Sequence, residues 1–161
     1  MISIDILDLR SFMQELLKGT LFHTFEVRTV EIQTFTTFQI SGQLHKDFFS
    51  LDEQEILNRE YANWQEIQPF IFQIVKGSRL PKKLKIVLSL PKNKWNKFLS
   101  PEQENQTSAL FINFLYEDQK MICTTGVGLS SFSLDKTIEH LWDDYIQSFL
   151  KQNQIFSEKN F

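Results

Sequence analysis

The chain has 161 residues, of which 42% are hydrophobic and 23% charged, and its formal net charge is -3. Those proportions exclude a disordered or fibrous chain, and the length favours one globular domain that buries its own core without a metal or disulfide staple. The one cysteine, Cys123, excludes an internal disulfide and fits a reducing compartment.

The opening MISIDILDLR has no basic start followed by an apolar run, so it does not read as a secretory signal. No apolar stretch reaches the roughly 20 residues that span a bilayer. The expected location is the cytoplasm, with no membrane partner.

Residues 2–6 alternate apolar and polar, as a short strand does. Asp8 is a good N-cap, with Leu7 and Phe12 at the two hydrophobic-staple positions around it. Leu9, Phe12, Met13, Leu16 and Leu17 fall at helical spacing, and Gly19 ends the segment. Residues 21–44 are rich in Phe, Val, Ile and Thr. Val30, Ile32, Phe38, Ile40 and Leu44 share parity, which predicts antiparallel strands over about 23–33 and 37–45 with a turn near Phe35-Thr36. Residues 50–60 are acidic and polar and read as a loop or short surface helix.

Trp64, Ile67, Ile71, Ile74 and Val75 repeat at helical spacing. Pro69 predicts that the regular helix starts near it, because proline is tolerated in a first turn. Gly77 is the expected C-cap and Pro81 bars continuation. Residues 83–90 alternate cleanly, with Leu84, Ile86, Leu88 and Leu90 on one face and Lys83, Lys85 and Ser89 on the other. Pro91 opens a short helix with Trp95, Phe98 and Leu99 on one side. Residues 102–107 read as a polar loop.

Residues 109–116 are apolar on both faces and predict a central strand; residues 117–120 turn the chain. Residues 121–134 read as one bent strand or two short ones, with a bulge near Gly126, Gly128 or Ser130 where apolar parity changes. Ile138, Leu141, Trp142, Tyr145, Ile146, Phe149 and Leu150 form one helical stripe, capped by Ser133 or Asp135. The expected domain is 1–153, with 154–161 a frayed tail.

Candidate chemistry is sparse. His140 with Asp143 and Asp144 at i+3 and i+4 has a spacing that supplies metal ligands, yet a solvated helix face is the simpler reading and no second His, Cys or metal motif supports the site. No metal or cofactor is expected. Cys123 lies in an apolar strand with no adjacent base, so a buried thiol is the simpler reading. Gly126-Val127-Gly128 lacks the rest of a dinucleotide or phosphate-loop fingerprint. His45, Asp47, Cys123 and His140 are the weak candidates for an enzyme.

The charge distribution carries more. From Ile67 to Pro101 no residue is acidic, while Lys76, Arg79, Lys82, Lys83, Lys85, Lys92, Lys94 and Lys97 supply eight of the 17 basic residues, near Trp95 and Phe98. Clustered cations bind polyanions by releasing counterions, and aromatic rings stack on bases. An ordinary lysine-rich surface, balanced by the acidic remainder, fits the same residues.

Trp64 with Gln68-Pro69, the run Lys76-Gly77-Ser78-Arg79-Leu80-Pro81, the Cys123-Thr124-Thr125-Gly126 strand and Phe132-Ser133-Leu134-Asp135-Lys136 leading to Trp142-Asp143 together resemble an uncharacterised family of small bacterial proteins, a domain of unknown function found mainly in clostridia-like organisms. The resemblance spans nearly the whole chain and implies no activity, so no catalytic residue is carried over. The order of elements is also similar, in topology alone, to one domain of DNA sliding clamps.

The expected fold is α+β: a largely antiparallel sheet against three main helices, arranged as two halves that each read as a helix followed by antiparallel strands. The expected function is a non-enzymatic binding or adaptor protein with a protein partner. The alternatives are nucleic-acid or other polyanion binding through residues 76–97, and an enzyme of unrecognised chemistry.

Overall fold

The computed structural model describes residues 1–77 and 79–160. Seven strands form one antiparallel sheet in the order β3-β2-β4-β5-β6-β1-β7. They are β1 (Ser3–Ile6), β2 (Glu26–Gln33), β3 (Thr37–Ser41), β4 (Lys83–Ser89), β5 (Thr107–Glu117), β6 (Lys120–Leu129) and β7 (Ser157–Asn160). The helices are α1 (Leu9–Lys18), α2 (Leu51–Ile56), α3 (Trp64–Val75), α4 (Pro101–Gln106) and α5 (Thr137–Gln152). The chain is thus α+β, with α1, α3 and α5 as its three main helices. None of the described helices is long and apolar enough to cross a membrane.

Alternation sets the two faces of the sheet. Val30, Ile86, Phe114 and Cys123 stand side by side on successive strands, as do Ile32, Leu84, Tyr116 and Met121. All are buried, and they join Phe12 and Leu16 of α1, Trp64 and Ile71 of α3, and Trp142, Ile146 and Leu150 of α5 in one hydrophobic cluster. The helices therefore cover one face. The other face carries Glu31, Lys85 and Leu115 in register, exposed or half-buried. The predicted halves share this sheet: β2 meets β4 directly, and β1 travels to the far side of β6.

Each tryptophan satisfies its indole N–H on a backbone carbonyl, the partner such a buried ring needs. Trp64 donates to Leu16, Trp95 to Leu90 and Trp142 to Phe111, at 2.8, 2.9 and 2.8 Å. Gln68, also buried, donates to the carbonyls of Leu16 and Gly19, while His23 Nε2 lies 2.9 Å from its Oε1. These bonds lock the end of α1 to α3.

Several expectations need correction. α3 starts at Trp64, one turn before Pro69, because Glu66 accepts the Asn63 N–H and the Trp64 indole anchors the first turn; the hydrogen bond Pro69 cannot make falls at Gln65, which is exposed. Leu7 is 59% exposed and does not complete the staple. Residues 101–106 are helical, since Ser100 and Gln103 form a reciprocal capping box. β6 ends at Leu129, and Phe132 and Leu134 lie exposed beyond it. The bulge sits on β5 between Thr107 and Ala109, opposite Gly128 and Leu129. Asp135 accepts the Thr137 N–H at the start of α5, one residue before the cap position. Ser89 is buried, unlike the lysines of its face. Finally, 157–160 is no frayed end: it pairs with β1 from Ser3↔Asn160 to Ile6↔Ser157, because backbone pairing tolerates an entirely polar strand at an edge.

Candidate functional site

The eight basic residues divide between the two ends of β4. Lys76 closes α3, and Arg79 and Lys82 are exposed in the connection to β4. Lys83 and Lys85 lie on the open sheet face, where Lys85 stands opposite Glu31, and Lys83 opposite Gln33 on one side and Glu117 on the other. Lys92, Lys94 and Lys97 belong to a 3-10 segment past the far end of the strand, about 20 Å away by strand rise. The structure therefore brings together Lys92 and Lys94 but does not gather all eight.

Those two line a cleft of about 680 Å³ shared with Glu26, Arg28, Tyr61 and Trp95. Its shape originates in β2. Register against β4 shifts between Val27 and Thr29, so Arg28 is the extra residue of a bulge. Beyond that point Val27 N–H bonds to Ala62 rather than to β3, and Ala62 N–H bonds to Gly42. A side chain at 42 would meet the Val27 carbonyl at 1.8 Å, which is why glycine stands there. The returning segment brings Tyr61 over Arg28.

Arg28 is held on several sides. Its Nε donates to Ser89 Oγ at 2.9 Å, and Ser89 is 1% exposed. Its guanidinium carbon lies 3.9 Å from the centroid of the Tyr61 ring and 5.2 Å from that of Phe111. Among the described residues its two Nη groups have no hydrogen-bond partner and it forms no ion pair. Burial pushes the carboxyl of neighbouring Glu26 above its ordinary value, against the opposing pull of Arg28. Arg59 is already committed to a bidentate contact with Glu66. Lys94 donates to Thr24 Oγ1 at 2.6 Å, and burial followed by the nearby Lys97 lowers its pKa.

The loop that supplies Tyr61 forms an arm. Its ends are tied by Leu44 N–H to the Glu60 carbonyl and by a bridge between Gln43 and Tyr61. Between them α2, capped reciprocally by Ser50 and Glu53, contributes no buried residue. Phe48, Leu51 and Ile56 are 86%, 78% and 81% exposed there, among Asp47, Asp52, Glu53 and Glu55.

The weak catalytic candidates do not converge. His45 and Asp47 are exposed on the arm. His140 and Asp144 are exposed on α5, whereas Asp143 is buried and bonded to Thr125. Cys123 is fully buried, and desolvation pushes its thiol well above the ordinary value. Among the described residues no group of three or more His, Cys, Asp or Glu side chains could hold a metal ion.

Sequence reasoning missed Glu26, Arg28, Tyr61 and the Thr125–Asp143 pair. For Arg28 a signal was present: Val27 and Val30 both face inward but are three residues apart, and only a bulge permits that.

Fold and site together define an α+β protein with an open-faced antiparallel sheet, an arginine-centred cleft and an apolar, acidic arm. The chain belongs to the family of unknown function DUF5721, whose model matches residues 15–158. No curated protein and no solved structure matches it.

Proposed function

We propose that this protein is a non-enzymatic adaptor that docks a protein partner through its arm. The observation that carries the reading is the exposure of Phe48, Leu51 and Ile56 on one short, acidic segment that buries none of its own residues. Large apolar side chains grouped on a surface favour association. A short exposed segment presenting such anchors fits an apolar groove, and the surrounding carboxylates select a groove with a basic rim.

Site-specific photo-crosslinking tests this. A crosslinker at position 51 should trap a discrete protein in cells, and one at exposed Gln73 on α3 should not. The trapped protein, once purified, should bind the native chain and lose about tenfold or more in affinity when Phe48, Leu51 and Ile56 are all changed to Ser. A crosslink to another copy of the chain would identify the partner as itself. Equal trapping at both positions, or a purified partner indifferent to the triple change, would defeat the proposal.

A further inference from the structure

We infer that the cleft at the β2 bulge is a binding site for a small oxyanion, a phosphate or a carboxylate, held by the two free Nη groups of Arg28 with Lys92 and Lys94 at its walls. This site is independent of what the arm docks.

Arg28 is organised as a receptor, not as a structural cation. The bond from its Nε to a buried serine fixes one edge of the guanidinium, and the Tyr61 ring fixes its plane. What remains is the outer pair of Nη groups, the fork that matches two oxygens of a carboxylate or phosphate. Those two donors have no partner among the described residues and stay open to solvent, so an oxyanion can replace water on them while the rest of the guanidinium is already fixed.

The charges around it agree with that ligand. Arg28, Lys92 and Lys94 line the cleft together with Glu26 and Glu60, while the charge of Arg59 is already met by Glu66. The local balance is therefore cationic. Arg28 also sits at a bulge, which aims its side chain across the sheet face in place of the usual up-and-down alternation. Glu26 opposes an incoming anion, and its removal should help binding. The size of the cleft, about 680 Å³, suits a small molecule.

The test is titration calorimetry at constant ionic strength with inorganic phosphate, a phosphate monoester and a dicarboxylate as separate probes, and chloride as the control. At least one probe should bind saturably where chloride does not, and which one binds distinguishes phosphate from carboxylate. Arg28→Lys retains the charge but loses the fork, and should weaken binding about tenfold. Lys92→Gln should weaken it less, and Glu26→Gln should tighten it about threefold. Circular dichroism establishes that each variant is folded. If Arg28→Lys does not fold, Lys92→Gln and Glu26→Gln still decide by moving affinity in opposite directions. Absence of saturable binding by all three probes, or affinities unmoved by these substitutions, would overturn the inference.

Discussion

Thr125 on β6 and Asp143 on α5 meet through one hydroxyl, which donates to Asp143 Oδ1 at 2.5 Å while accepting the backbone N–H of Ile2 at 3.0 Å. Both side chains are buried. Thr125→Val keeps the shape but removes a donor from a buried carboxylate and an acceptor from a backbone amide. It should cost about 2–3 kcal/mol, seen as a lower urea midpoint at unchanged slope. Thr125→Ser should recover most of that loss. A midpoint unchanged in the valine variant would mean that the pair contributes nothing to stability.

Trp142 is fully buried, stacks with Phe98 and Tyr145, and donates its indole N–H to Phe111. Trp142→Ala should destabilise by about 3–5 kcal/mol. Trp142→Phe should lose less, keeping the stacking but not the hydrogen bond. Thermal melting followed by circular dichroism separates the two.

Cys123 should react slowly with thiol reagents in the native protein. The side chain is inaccessible, and desolvation holds its pKa high, so little thiolate exists near neutral pH. Labelling should become rapid and complete in denaturant. Fast native labelling would contradict the burial.

Arg59 and Glu66 give a pH-dependent contribution. The hydrogen bonds from Arg59 lower the Glu66 pKa below 4.5. A carboxylate depressed in the folded state stabilises above its unfolded pKa, and that contribution disappears as pH falls through the lower folded value. Glu66 is 46% exposed, so salt screening limits the effect. Glu66→Gln should lose at most about 1 kcal/mol at pH 7. The gap from the native protein should close as pH falls through the lowered folded value, as read by denaturant midpoints across the range.

The elements legible in the sequence were those whose burial shows as a period. The α5 stripe and the β4 alternation have one partner face each, and the pattern reports it. α4 and β7 carry no such pattern. A serine–glutamine capping box makes the first, and backbone pairing to β1 makes the second, so neither needs apolar residues. α3 outran its expected start because the Trp64–Leu16 bond is tertiary and lies outside any local window.

The site was less legible for a related reason. Lysines close in sequence were separated by the length of β4, whereas Arg28, Tyr61 and Ser89, distant in sequence, were joined by the bulge and the returning arm. Charge density along a chain does not report which end of a strand each residue occupies. The shift of phase between Val27 and Val30 did mark the position, though not what would be assembled around it.

The place of β1 in the sheet also orders the making of the protein. β1 precedes every other strand in the chain, yet its two neighbours are β6 and β7. During synthesis Ile4 must stay unpaired until the segment carrying Cys123, its partner in register, has left the ribosome. The central strands β2, β4 and β5 can assemble earlier, and β1, made before them, is among the last to dock. Such a topology, rich in contacts between distant residues, folds slowly and leaves an apolar strand open to wrong partners in the meantime.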